Sequence, residues 1–210
     1  MISHKYKYIF VHIPKCGGSS IEQTLLKAEG VNVQNLDGFY INHLNEGVKK
    51  EHLLDYPAHA YSQHYSISQY DSTLSGSYYS FSFVRNPWDL IVSEYFYISD
   101  NYDFNFSFNE FVRMGEEIKK IEKFNWLVER GHHLKPQSSL LSDDINYIGR
   151  FENLQKDFDF VCLKLSIPKK ELPIINQSKR NHYRKYYNKE TREIVAQRYA
   201  MDIGRFNYMY

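Results

Sequence analysis

The 210-residue sequence predicts an α/β sandwich with a mainly parallel central sheet. Strand-length apolar runs rich in β-branched and aromatic residues alternate with helix-start patterns, which is how strands covered on both faces by helices read. In Tyr8-Ile9-Phe10-Val11-His12-Ile13 the run ends at Pro14. A turn follows, Pro14-Lys15-Cys16-Gly17-Gly18, and Ser19 with Glu22 three residues on predicts a capping box at the start of a helix. Ile21, Leu25 and Ala28 continue it at helical spacing until Gly30.

The same grammar recurs downstream. Tyr79 to Val84 is a strand, Asn86 caps and Pro87 opens a helix to about Ile98, and Arg85 stands at the strand's C-terminal end. Ser107 with Glu110 starts a further helix. Tyr147 to Phe151 reads as a short strand, and Leu154, Phe158, Val161, Cys162 and Leu165 mark one face of the helix after it. Ile194, Val195, Arg198 and Tyr199 predict a last helix. From about Asn32 to Gly76 periodicity is weak, as expected of loops. With neither repeats nor a linker, residues 1–210 are read as one domain.

Composition excludes several classes. Lys and Arg number 26 against 25 Asp and Glu, a net charge of +1, which is no footprint of a nucleic-acid binder. With 17% aromatic residues, 10 Gly and 6 Pro, the chain should fold rather than remain disordered. Tyr contributes 19 residues and must supply part of the core, since the ordinary apolar set falls below the usual ~45–50%. Cys16 and Cys162 are too few for a disulfide framework, no run reaches ~18 apolar residues, and Met1 to Lys7 shows no signal-peptide core. The expectation is a cytoplasmic protein without an integral membrane segment. Charge is unevenly placed: residues 164–192 hold nine Lys or Arg and two acids, whereas the remainder carries −6. Taken alone, that stretch reads as a solvated basic face.

A Gly-rich turn opening a helix offers successive N–H groups and the positive end of the helix dipole to an anion. Gly17 and Gly18 permit close backbone approach, Ser19 and Ser20 add hydroxyls, and Lys15 adds a cation. The lysine precedes the glycines, so the G-x-x-x-x-G-K-[ST] loop is absent and an ordinary nucleotide triphosphatase is disfavoured. No His or acid spacing such as HExxH argues for a metal.

Ile9 through Ser20 resembles the 5′-phosphosulfate loop of sulfotransferases that use 3′-phosphoadenosine 5′-phosphosulfate (PAPS), with Cys16 where Thr is common. Phe83-Val84-Arg85-Asn86-Pro87-Trp88-Asp89, with Ser93 eight residues after the arginine, resembles the 3′-phosphate element of the carbohydrate, or type 2, branch. The likeness continues through His59-Ala60, Pro136-Gln137, Gly149 to Leu154, Asn176 with Ser178 and Arg180, and Tyr199 to Tyr208.

The resemblance implies a P-loop-like three-layer sandwich that binds PAPS and moves its sulfuryl group to an acceptor hydroxyl, on a carbohydrate or other hydroxyl-bearing acceptor, with an amine as the less favoured acceptor, and without a metal. It implies donor contacts from Pro14, Lys15, Cys16, Gly17, Gly18, Ser19 and Ser20 at the 5′ end. Arg85 and Ser93 fall at the 3′-phosphate, joined by Arg180 and Lys179 of the basic stretch. Lys15 stabilises the leaving phosphate. A base must take the acceptor proton, and His is the usual side chain near neutral pH. His59 is the first candidate and His64 the second; His12, inside the first strand, is read as a packed residue and Gln137 as lining the acceptor cleft. The Tyr78-Tyr79, Tyr95 to Tyr97 and Tyr186-Tyr187 tracts are read as half-buried core. Two other readings use the same anion loop: a P-loop kinase-like phosphotransferase, and a non-catalytic nucleotide- or glycan-binding protein.

Overall fold

The computed structural model describes residues 1–30, 64, 66–70, 72–125, 127, 133–175 and 178–210. The chain's contacts divide it into two compact units, Met1–Val84 with Ser139–Ile175 and Arg85–Ser138 with Asn176–Tyr210.

The first unit holds the sheet: β1 (Ile2–Ser3), β2 (Tyr8–Val11), β3 (Tyr79–Val84) and β4 (Tyr147–Arg150), in spatial order β1-β2-β3-β4. β1 runs antiparallel to β2, while β2–β3 and β3–β4 are parallel, in the registers Phe10↔Phe81 and Phe83↔Gly149. All of β2 is buried, as its unbroken apolar sequence requires. Phe10 and Phe81 stack with centroids 5.1 Å apart, and Ser82 on the alternate face donates to the Val11 carbonyl at 2.7 Å. Gly149 faces Phe83 so closely that a Cβ would lie 2.5 Å from its ring.

Two helices complete this unit among the described residues of ten or more positions. α1 (Gly18–Glu29) ends at Gly30, whose left-handed backbone lets its N–H reach the Leu26 and Lys27 carbonyls. Another spans Leu154–Lys164 and buries Phe158, Val161 and Cys162, the face anticipated from their spacing. β2 stops at Val11, two residues before the expected end, because His12 and Ile13 leave the ladder on the approach to Pro14.

The second unit is helical. α2 (Pro87–Asn101) starts as expected: Asn86 accepts from the Trp88 N–H, and Pro87 occupies the first turn where a missing N–H costs nothing. It continues three residues past Ile98. α3 (Phe108–Met114) has the reciprocal Ser107–Glu110 capping box. The Leu154–Lys164 helix of the first unit is α4. The anticipated last helix is two, α5 (Lys189–Arg198) and α6 (Ala200–Phe206), broken at Tyr199, whose buried hydroxyl donates to the Leu134 carbonyl at 2.9 Å. The core of this unit joins Trp88, Ile91, Phe104, Phe108, Phe111, Phe124 and Val195.

Tyrosine fills core space in both units, as the composition demanded: Tyr8, Tyr70 and Tyr199 are among the largest fully buried side chains. The Tyr tracts pack on other rings. Tyr95 sits edge-on to Phe108, Tyr186 to Phe96 and Tyr187 to Phe108, while Tyr78 meets His4.

Candidate active site

The anion loop lies between β2 and α1. Its backbone turns left-handed twice, at Lys15 (φ 61°) and at Gly17 (φ 81°). Glycine adopts that region freely, but a residue with a Cβ gives up about 1–2 kcal/mol, so Lys15 is held there by its surroundings. Gly17 is the N-cap of α1, and no side chain caps the helix. The expected Ser19–Glu22 capping box is therefore not formed. Glu22 instead lies fully buried with its Oε1 3.0 Å from His12 Nδ1. The first-turn amides consequently meet the loop without a side-chain oxygen in front of them, which suits an incoming anion.

His12 is the packed residue the strand position implied, 4% exposed, stacked on Phe10 and edge-on to His64 with centroids 4.8 Å apart. Its ring occupies the space over Gly18, where a Cβ would stand 2.0 Å from Nε2. Pro14, Cys16 and Ser20 are buried, and Lys15, Gly17 and Ser19 are partly exposed. His64 is buried beside His12, so the second base candidate belongs to the surroundings of this loop. His59, the first candidate, lies outside the described residues.

The second unit holds the arginine site. Arg85 follows β3 directly, and its Nε and Nη2 donate to Asp89 Oδ2 at 2.8 and 2.7 Å. The other Asp89 oxygen, Oδ1, accepts from Arg180 Nη2 at 2.7 Å. One carboxylate thus splints two guanidinium groups drawn from positions 95 residues apart in sequence. The Arg85 and Arg180 side chains are only 7% and 11% exposed, so these charge-assisted bonds are shielded from water. Ser93 is buried on α2 one turn beyond Asp89, on the same helix face. Lys179 is exposed and takes no part in the bridge.

Gln137 differs from expectation. It lines no cleft: it is fully buried, its Oε1 accepting from the Arg85 N–H at 2.8 Å and its Nε2 donating to the Arg85 carbonyl at 2.8 Å. The Gln137 and Ser138 N–H groups in turn donate to the two oxygens of buried Asp202, at 2.7 and 2.8 Å. Sequence reasoning assigned no role to Asp89 or Asp202. Asp89 carried a usable signal, an acid four residues after an arginine at a helix start, whereas nothing local marks Asp202. His133 is buried with Nδ1 2.9 Å from Glu94 Oε1. Among the described residues no group of three or more His, Cys, Asp or Glu stands close enough to hold a metal ion.

Known proteins resemble this chain in sequence or in fold. A protein of Archaeoglobus fulgidus carrying no functional name is 32% identical over 115 residues, 53% of this chain and 88% of its own length. The crystal structure of a sulfotransferase from Alicyclobacillus acidocaldarius covers 96% of this chain and 94% of its own at 16% identity, with a TM-score of 0.54, and so has the same P-loop-like α/β fold. A mouse sulfotransferase crystallised with PAP covers 98% of this chain and 88% of its own at 14% identity and a TM-score of 0.48. The sequence model of the sulfotransferase family matches residues 1–209, essentially the whole chain. The protein belongs to the sulfotransferase family.

Proposed function

We propose that this sulfotransferase takes its sulfuryl group from PAPS and transfers it to a hydroxyl of a carbohydrate, as a member of the carbohydrate branch, in the cytoplasm. The observation that carries the donor assignment is the pair of shielded guanidinium groups at Arg85, which follows β3, and Arg180, splinted by Asp89 in the first turn of α2. PAPS differs from ATP in its 3′-phosphate, and planar guanidinium forks match phosphate oxygens in geometry and charge. The uncapped start of α1 and the left-handed turns at Lys15 and Gly17 support a second anion contact, at the 5′ end.

The donor supplies sulfur activated as a mixed anhydride with phosphate. Backbone N–H groups from Gly17 to Ser20 hold the 5′-phosphate, with Pro14 and Cys16 shaping the turn. Lys15 neutralises the bridging oxygen as its bond to sulfur breaks and the acceptor oxygen bonds to sulfur. Arg85, Ser93, Arg180 and Lys179 receive the 3′-phosphate. His59, or His64 in its place, takes the acceptor hydroxyl proton. The transfer uses no metal; as in phosphoryl transfer, in-line positioning and charge stabilisation do most of the work. No helix among the described residues is long and apolar enough to cross a membrane, and both cysteines are buried.

The test is incubation with sulfur-labelled PAPS and a panel of polysaccharides, oligosaccharides and small alcohols. Label is expected in a carbohydrate product with wild type, and not with Lys15→Ala, which should keep most of its affinity for 3′,5′-adenosine bisphosphate (PAP). Transfer to a non-carbohydrate alcohol alone would reject the acceptor. Stronger thermal protection by magnesium ATP than by PAP would reject the donor.

A further inference from the structure

We propose that Gln137 and Asp202 are positioning residues for 3′-phosphate recognition: Asp202 fixes Gln137, and Gln137 fixes the backbone from which the Arg85 guanidinium extends. The inference rests on the assignment of Arg85 to the 3′-phosphate.

Arg85 stands where one backbone pattern ends and another begins. The parallel ladder with β4 stops at Val84, opposite Arg150, and the helix begins at Asn86, the N-cap of α2. A buried residue at such a junction needs partners for both its N–H and its C=O, since an unmet buried amide is costly. The Gln137 side-chain amide meets both, one with each end, at 2.8 Å. It acts as a one-residue surrogate strand, and two bonds in opposite senses resist rotation of either peptide plane beside Arg85.

Gln137 is held in turn. Its own N–H and that of Ser138 donate to the separate oxygens of Asp202, and Gln137 Nε2 lies 3.4 Å from Asp202 Oδ2. Gln137 and Asp202 are both fully buried and Arg85 is 6% exposed. A buried carboxylate is expensive unless its bonds are well formed, and this one receives two backbone N–H groups. All these residues lie within the second compact unit.

A guanidinium reaches roughly 6 Å from its Cα, so a backbone rotation of about 15° would displace its nitrogens by more than 1 Å, beyond the tolerance of a preorganised site. Asp89 orients the fork at its far end, while Gln137 anchors its root. Loss of the anchor should therefore weaken recognition of the 3′-phosphate and leave the rest of the nucleotide unaffected.

The experiment measures, for each variant, affinity for PAP and for 5′-AMP, which lacks the 3′-phosphate, and reports their ratio. Gln137→Leu should lower the PAP-over-AMP preference by about tenfold with AMP affinity within about twofold of wild type, the size of one displaced charge-assisted contact. Asp202→Asn, which keeps the shape but sets an NH2 against a backbone N–H, should lower it by a smaller factor. Thr191→Ala removes the Oγ1 that accepts from the Asn188 N–H at the start of α5, in the same unit, and should lower thermal stability without changing the ratio. An unchanged ratio in folded Gln137→Leu would overturn the inference; if that variant does not fold, an unchanged ratio in Asp202→Asn would. A wild type with no preference for PAP over AMP would overturn the donor assignment itself, a result distinguishable from either.

Discussion

The imidazole of His12 lies directly against Gly18, leaving no room for a methyl group: a Cβ at Gly18 would stand 2.0 Å from His12 Nε2 and 2.1 Å from Cδ2. The ring cannot easily swing away, because Nδ1 is bonded to buried Glu22 and the ring is stacked on Phe10 and edge-on to His64. Gly18→Ala should therefore displace the loop rather than the histidine, lowering stability by about 2 kcal/mol or more and largely abolishing transfer. Removing the ring should relieve the clash. In a His12→Ala background the further change Gly18→Ala should cost much less, as a double-mutant cycle of urea midpoints would report. Additive losses would show that the contact with His12 is not what requires glycine.

Asp89 raises a question of sign. Its carboxylate would lie near a bound phosphate and repel it, yet it also orients two guanidinium groups. Orientation should prevail, because two arginines already neutralise the carboxylate and their bonds to it are of the stronger, charge-assisted kind. Asp89→Asn should weaken PAP binding by about three- to tenfold and leave 5′-AMP binding nearly unchanged. Calorimetric titration with both nucleotides decides the matter. Tighter PAP binding in the variant would mean that Asp89 competes with the phosphate instead of preparing its site.

The parts legible in the sequence are those built from local interactions. β2 announced itself by its unbroken apolar run and β3 by the alternation of aromatic residues with Ser80 and Ser82, and Asn86-Pro87 and Ser107–Glu110 form their caps from residues within one turn. Ser19–Glu22 has the same local pattern, but Glu22 found a partner in His12, brought beside it by the β2–loop–α1 turn. Local chemistry can propose a cap without knowing whether a tertiary partner will claim the side chain. Gln137 shows the complementary limit. Its bonds span 52 residues to Arg85 and 65 to Asp202, and neither separation leaves a periodic mark. The positions resembling phosphate contacts could be identified, whereas the residues holding their backbone became visible only in three dimensions.

The two base candidates can be separated by what each loss disturbs. His64 is buried against His12, so His64→Ala should create a void beside the anion loop and reduce both thermal stability and nucleotide affinity, whatever its part in proton transfer. His59→Ala should reduce turnover at saturating PAPS at least about a hundredfold, the lower end for a lost general base, with PAP affinity nearly unchanged. Steady-state kinetics with measured PAP affinity distinguish these outcomes. Normal turnover in His59→Ala would transfer the base assignment to His64.

Alkali should unfold this protein through its core. Burial raises the ionisation of the Tyr8 phenol well above its ordinary range, an effect reinforced by neighbouring Glu29, and burial likewise raises Tyr199; Cys162 is pushed up to about 11. Each group is neutral when protonated, so the native state keeps protons that the unfolded chain releases near the ordinary values of ~8.5 for Cys and ~10 for Tyr. Protons are then bound more tightly by the folded chain, and stability falls as pH rises. The contribution of these groups is complete below about pH 8.5, begins to fade as the unfolded thiol ionises, and declines more steeply above about pH 10 when the phenols join. Urea midpoints measured from pH 7 to 11 should show that decline. Absorbance at 295 nm should show Tyr8 and Tyr199 ionising only as the fold is lost, after the exposed tyrosines. Cys162→Ala should flatten the first part of the descent while leaving the phenolic part in place. A stability constant from pH 8 to 11, or reversible titration of every tyrosine within an intact fold, would contradict this account of the core.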